Sequence, residues 1–186
     1  NFKRGYEMQV TRGQGPLISA LGGFGLNVPW GQGHHERFDQ VFGHVATVAV
    51  TCEDLPTDTN FVSIDSQVTD SFGVPAAVMN YELEENAEKM KSHGIESAKA
   101  WLAAAGAREV LVNPLLAQAG FHLMGTTRMG TDPNNSVVGQ DCRAHDVPNL
   151  LVIDGSVFAS SAAVNPTPTL QAIALRAADQ LVKSGL

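Results

Sequence analysis

Between residues 44 and 83 the apolar positions come in three short runs, 44–51, 61–65 and 75–83. The turn-formers Pro56, Asp58 and Asn60, and then Asp70, Ser71 and Gly73, separate them. Runs of this length bounded by turn residues predict strands, and their succession predicts antiparallel neighbours in one sheet. From about 83 to 105 the pattern becomes helical. Glu84, Glu85 and Glu88 lie early, where the helix dipole favours negative charge. Gly106 is a natural stop, and Gly94 falls inside the pattern as a candidate interruption. Residues 109–112 predict a further short strand, and 149–154 a buried one. Leu170, Ile173, Ala174, Ala177 and Leu181 recur at three and four residues, which predicts a helix over about 167–182 buried on one face. Pro166 and Pro168 sit where a helix start tolerates proline. The first forty residues, dense in glycine, read as an irregular loop that covers a site. The chain thus divides into 1–115, a sheet with a helix, and 116–186, the end of a larger α/β unit.

Composition narrows the partners. Hydrophobic residues make up 44% of the 186 and charged residues 17%, which supports a packed core. The net charge of -7 argues against nucleic acid and anionic membrane surfaces as partners. No apolar run approaches the roughly 20 residues of a membrane helix. The two cysteines, Cys52 and Cys142, make neither a disulfide framework nor a zinc site, and two free thiols are expected. No metal site is expected: His34 and His35 are adjacent, and the stretch from Asp132 to Asn135 lacks the glycine and glutamate of a calcium loop. The chain contains no Gly-x-Gly-x-x-Gly, no phosphate loop and no Gly-x-Ser-x-Gly elbow. The compartment stays open between cytoplasm and periplasm.

Three stretches can carry chemistry. His122 leads into a turn containing Gly125 and Gly130, where backbone can approach a flat ligand. A histidine there is either a base working near neutral pH or a loop residue held by hydrogen bonds. Asp154 and Gly155 end the predicted strand at 149–154, the place where α/β sheets gather ligands. Asp154 can accept from ribityl hydroxyls and Gly155 can bring an N–H to a pyrophosphate, unless the pair is an ordinary turn. Asn165, Pro166 and Thr167 precede the last helix, whose free N–H groups attract negative charge or are simply capped.

In chain order, these stretches form a pattern: His-x-x-Gly-Thr-x-Arg-Met-Gly from His122, then Ser136-Val137-Val138, Arg143-Ala144-His145, the run ending Asp154-Gly155-Ser156, and Asn165-Pro166-Thr167. It resembles the C-terminal signature of glucose–methanol–choline (GMC) oxidoreductases, over about 120–184, and is most similar to bacterial sugar and polyol dehydrogenases and pyranose oxidases. The resemblance implies a mixed α/β fold: an antiparallel substrate-domain sheet with helices over 1–115, then over 116–186 the C-terminal strand and helix of a Rossmann-like FAD domain. It implies FAD as cofactor and oxidation of a CH–OH group of a sugar, polyol or glycoside. His122 is then the base, and Asn165 orients the substrate hydroxyl. Asp154, Gly155, Asn165, Pro166 and Thr167 line the FAD. Electrons pass to oxygen, a quinone or another acceptor. The glycine-fingerprint half that binds the rest of FAD is missing here, so the chain is expected to be a fragment, or to meet that half in trans. A lyase or a non-catalytic binding module on the same fold are the alternatives.

Overall fold

A computed structural model describes residues 1–23, 25–116 and 120–185 of the chain. Strand β1 (Tyr6–Arg12) pairs antiparallel with β2 (Ala46–Cys52), in register from Tyr6↔Cys52 to Arg12↔Ala46. β1 lies in the stretch expected to be irregular. Its apolar residues Tyr6, Met8 and Val10 alternate with Glu7, Gln9 and Thr11, the period of a strand. The glycines belong to its flanks, at Gly5 and Gly13. Two short helices, α1 (Pro16–Leu21) and α2 (His34–Val41), occupy the same glycine-rich stretch.

Helix α3 (Glu85–Ala104) runs without a break through Gly94. The glycine is a packing residue there: a Cβ on Gly94 would stand 2.5 Å from Cγ1 of Val50 and 3.5 Å from the Tyr6 ring. The missing side chain lets α3 come down onto β1 and β2. The contact is closed by the Tyr6 hydroxyl, which donates to Ser97 Oγ at 3.0 Å and lies 2.8 Å from His93 Nδ1. Ala87, Met90 and Ala98 are buried on the same helix, with Met90 at 0% exposure.

Strand β3 (Phe61–Thr69) pairs antiparallel with β4 (Pro75–Asn80) as a hairpin with an irregularity between Asp65 and Thr69. Asp70 shapes its turn, its Oδ1 accepting from the amides of Phe72 and Val74 at 2.8 and 3.0 Å. The last helix, α4 (Thr167–Ser184), buries Ala177 on the predicted face.

The three predicted strand runs therefore do not share one sheet. The run at 44–51, as β2, takes β1 as its partner, and the other two pair with each other, which gives two separate two-stranded sheets among the described residues, β1–β2 and β3–β4. Nor do strands form at 109–112 or 149–154. A parallel strand needs neighbours on its edges, and at 149–154 the described residues supply a single bridge, Arg143↔Leu151. The fold is mixed α and β, in two compact units, each discontinuous in sequence. One comprises Asn1–Cys52 with Asn86–Gly120, the other Glu53–Glu85 with Phe121–Leu186. Among the described residues no helix is long and apolar enough to cross a membrane.

The Gly94 contact makes a measurable prediction. Alanine is the better helix former by about 1 kcal/mol, but its methyl meets Val50, whose branched side chain has little rotamer freedom. Gly94→Ala is expected to lower stability by about 1–2 kcal/mol in urea unfolding, an overpacking cost. In a Val50→Ala background, which carries its own burial cost, Gly94→Ala should lose that steric penalty, and an undiminished cost of Gly94→Ala there would contradict the packing account.

Candidate active site

Residues 121–156 have almost no regular secondary structure, yet their backbone is closely tied. The amide of Thr127 donates to the carbonyl of Ser156 at 3.0 Å, and that of Met129 to Val157 at 2.8 Å. On the other side Gly130 donates to Val138 at 2.9 Å and Val137 to Arg128 at 3.0 Å. The hydroxyls of Thr127 and Ser156 share a further hydrogen bond. The 127–130 stretch thus lies between 156–157 and 137–138 as a strand would, without being long enough to be one.

His122 lies five residues ahead of this ladder and is exposed. Its neighbour Leu123 sets the position. A Cβ on Gly155 would stand 2.8 Å from the Leu123 carbonyl oxygen, so only glycine allows the two segments to approach this closely. The structure therefore brings the His122 segment and the Asp154–Gly155 turn together. Gly155 opens a short 3-10 turn, Gly155–Val157, capped by Asp154, whose Oδ1 accepts from the Ser156 amide at 2.8 Å. Hydrogen bonds from Ser156, hydroxyl and amide, hold the Asp154 carboxyl below the usual carboxylate range. Asp154 is exposed, so its carboxylate is open to solvent.

Asn165 is exposed and Pro166 is the N-cap of α4, which has no side-chain cap. The first α4 amide returned to the chain is that of Leu170, to the Pro166 carbonyl at 2.9 Å. Pro168 has no N–H, and among the described residues the amides of Thr167 and Thr169 meet no acceptor, which leaves them for one from outside. Among the described residues, no hydrogen bond joins Asn165 or Thr167 to the His122 segment or to the Asp154 turn.

A second polar knot supports the first. Asp132 accepts from the Asn134 amide at 3.0 Å and from the side chains of Asn134 and Asn135 at 3.0 and 2.9 Å. These bonds, the Asn134 amide foremost, hold its carboxyl low. The Asp132 carboxylate is thus committed to its own turn, and no group of three acidic, cysteine or histidine residues fit for a metal occurs among the described residues. The Ser136 hydroxyl lies 2.6 Å from the Asp132 carbonyl and 2.9 Å from His145 Nε2. A carbonyl only accepts, so Ser136 donates to it and must accept from His145. With its proton committed, Ser136 is no nucleophile and His145 no base for it. Cys52 and Cys142 are free thiols, and burial pushes both up, away from the reactive thiolate. Sequence reasoning assigned no task to the pairs Thr127 with Ser156 and Ser136 with His145. The partners lie 29 and 9 residues apart, with no local pattern to mark them as pairs.

For a flavin dinucleotide, the fit is partial. This chain offers an acceptor at Asp154, an amide side chain at Asn165 and two free amides at a helix start. It offers no glycine fingerprint for the ADP half.

Comparison with known proteins identifies the family. Residues 56–174 match the family model described as GMC oxidoreductase. A 2-methyl-1,2-propanediol dehydrogenase of Mycolicibacterium austroafricanum is 41% identical over 185 residues, 97% of this chain and 33% of the relative. The fructose dehydrogenase large subunit of Gluconobacter japonicus is 31% identical over 139 residues, 75% of this chain and 25% of the relative. Paromamine 6'-oxidase of Streptomyces fradiae is 36% identical over 126 residues, 67% of this chain and 23% of the relative. The chain thus spans a quarter to a third of the length of such relatives.

Two predictions follow from the geometry. Gly155→Ala must displace a backbone carbonyl rather than a flexible side chain. It is expected to cost about 1–3 kcal/mol and to speed amide exchange at Thr127 and Met129; unchanged exchange there would refute the close-approach account. The second concerns acid. Asp132 and Asp154 both titrate below the ordinary aspartate value in the folded chain. Their stabilisation is therefore present above about pH 3.9 and is lost as the pH falls through their folded values. In an acid titration the amides of Asn134 and Ser156 should lose protection below about pH 4, and Asp154→Asn should remove that dependence at Ser156 alone.

Proposed function

Since this chain belongs to the GMC oxidoreductase family, we propose that it is the C-terminal part of an FAD-dependent enzyme that oxidises a CH–OH group of a sugar, polyol or glycoside. When bound, FAD supplies the hydride acceptor. This chain's own part is to hold the alcohol and remove its proton. His122 takes the hydroxyl proton on its imidazole. Asn165 cannot act as a base; its amide donates to and accepts from the substrate oxygen and orients it. Asp154 would hold the ribityl hydroxyls of a bound flavin as their acceptor. Asn165, Pro166 and Thr167 would hold its pyrimidine edge at the start of α4, where unpaired N–H groups favour negative charge.

The observation that carries this reading is the Gly155–Leu123 approach, which fixes a histidine-bearing segment against an acidic turn with both side chains open to a ligand. The named relatives support the substrate class: their substrates, a diol, fructose and paromamine, all carry hydroxyl groups.

In this proposal residues 1–115 belong to the substrate-binding domain and 116–186 complete the FAD site. The dinucleotide-binding half comes from elsewhere, in cis or in trans. Exposed apolar surface supports its presence. Ile64, Phe72 and Met79 on the β3–β4 hairpin are 73%, 90% and 74% exposed, and a two-stranded hairpin is marginal without further partners. Electrons leave to oxygen, a quinone or another acceptor.

The test is anaerobic reduction of the flavin in the full-length protein by 2-methyl-1,2-propanediol, fructose and related alcohols. At least one should bleach the flavin, and His122→Ala should slow the bleaching by about 10²-fold or more, as loss of a general base requires. A flavin that no alcohol reduces would sink the oxidoreductase reading. Equal rates in wild type and variant would sink the role of His122.

A further inference from the structure

The stretch from Ala159 to Asn165 connects the 3-10 turn to the start of α4 and has no regular structure. Among the described residues, it makes one recorded hydrogen bond: Ser161 Oγ donates to the carbonyl of Asp54 at 3.2 Å, across 107 positions in sequence. Ser161 is half-buried and stands four residues before Asn165. Whatever fixes Asp54 therefore bears on where Asn165 sits.

Asp54 is fixed through its side chain. The Tyr81 hydroxyl donates to its Oδ2 at 2.5 Å, while Oδ1 is buried without a hydrogen-bond partner. Tyr81 follows directly on the end of β4, and the chain there is clamped in turn. Asn60 accepts from the Glu82 amide at 2.9 Å and donates to the Glu82 carbonyl at 3.1 Å. Asn80 donates to Ser63 Oγ at 3.1 Å across the hairpin. The path from the base of the β3–β4 hairpin to the Asn165 loop is thus continuous: Asn60 holds Glu82, the neighbouring Tyr81 holds Asp54, and Asp54 holds Ser161. All of these residues lie in one compact unit.

We infer that Tyr81, Asp54 and Ser161 form a latch that positions the loop carrying Asn165. They are positioning residues and touch no substrate. The inference rests on the reading above only in giving Asn165 a task; the latch itself is a statement about residues 159–165. Asp54 acts on Ser161 through its backbone carbonyl, so its side chain matters only by keeping that carbonyl in place. Tyr81→Phe removes the hydroxyl and leaves the ring. Ser161→Ala removes the last link and touches nothing else recorded.

The experiment uses limited proteolysis and flavin reduction on the full-length protein. In Ser161→Ala and Tyr81→Phe, cleavage within residues 159–165 by a protease that cuts after small apolar residues should accelerate by about three- to tenfold, the factor expected when one lost neutral hydrogen bond raises the open population of the loop. Cleavage within α4 beyond its first turn should not change, and Ser161→Thr should restore the wild-type rate. Unchanged cleavage within 159–165 in both variants would overturn the latch, whatever the enzyme does. The kinetic arm separates the two readings. With an alcohol that reduces the flavin, Ser161→Ala should lower the reduction rate by a similar factor, and should lower it no further in an Asn165→Ala background. A full additional loss in that background would mean that Ser161 acts elsewhere and would overturn the coupling. If Asn165→Ala alone reduces as fast as wild type while the proteolysis result holds, the latch stands and the orienting role of Asn165 falls.

Discussion

The Leu123 carbonyl occupies the space that a side chain on residue 155 would need, and the arrangement of the 121–158 region depends on that approach. Because the two surfaces in contact are backbone, neither can yield by changing a rotamer. The approach sets the distance between the His122 segment and the Asp154 turn, and the hydrogen bonds from Thr127 to Ser156 and from Met129 to Val157 continue the same alignment onward. A site held in this way is more precise than its lack of helices and strands suggests, since position comes from backbone pairs rather than from side-chain packing.

Polar turns do elsewhere in this region what regular structure does in others. Asp132 gathers three donors from Asn134 and Asn135, and Arg128 donates from Nε to the Asn135 carbonyl at 2.8 Å. Cys142 shows how tightly the region is determined. It is fully buried with a φ of 65°, a left-handed conformation that costs a non-glycine residue about 1–3 kcal/mol. It is kept there by bonds on both sides: its amide donates to Gly139 at 3.0 Å, and its carbonyl accepts from Val152 at 3.0 Å. Val138 and Val157, each at or below 1% exposure, lie within the same hydrogen-bonded stretch.

The parts of this structure that could be read from sequence are those with a local cause. Helices α3 and α4 carry their burial face in their own spacing, and both form over nearly the predicted residues. β1 escaped notice because the glycines around it outweighed an alternation only seven residues long. The strand expected at 149–154 is apolar enough, but a strand is defined by its neighbours, and the described residues provide one bridge. The candidate site divides in the same way. His122, Asp154, Gly155 and Asn165 stand beside glycines and prolines whose backbone limits are visible in the sequence. The Ser161–Asp54 bond joins residues 107 apart and left no such mark.

The start of α4 breaks a local rule, and the way it does so is informative. A helix of 18 residues ordinarily takes a serine, threonine, aspartate or asparagine as its N-cap, worth about 1 kcal/mol. Here the cap position is Pro166, with no side chain to accept from the first turn, while Asn165 stands one residue too early to do so. Pro168 then removes one of the early donors and leaves those of Thr167 and Thr169. Moving the asparagine one position along would stabilise the helix but would close its end with a neutral amide. Among the described residues the end is open to an acceptor from outside, the side-chain amide of Asn165 meets no partner, and the preceding loop is tied down at Ser161. Departures from local consistency tend to gather where a protein meets its ligand. This one places an uncapped positive helix end, a free amide and a fixed loop within a few residues of one another.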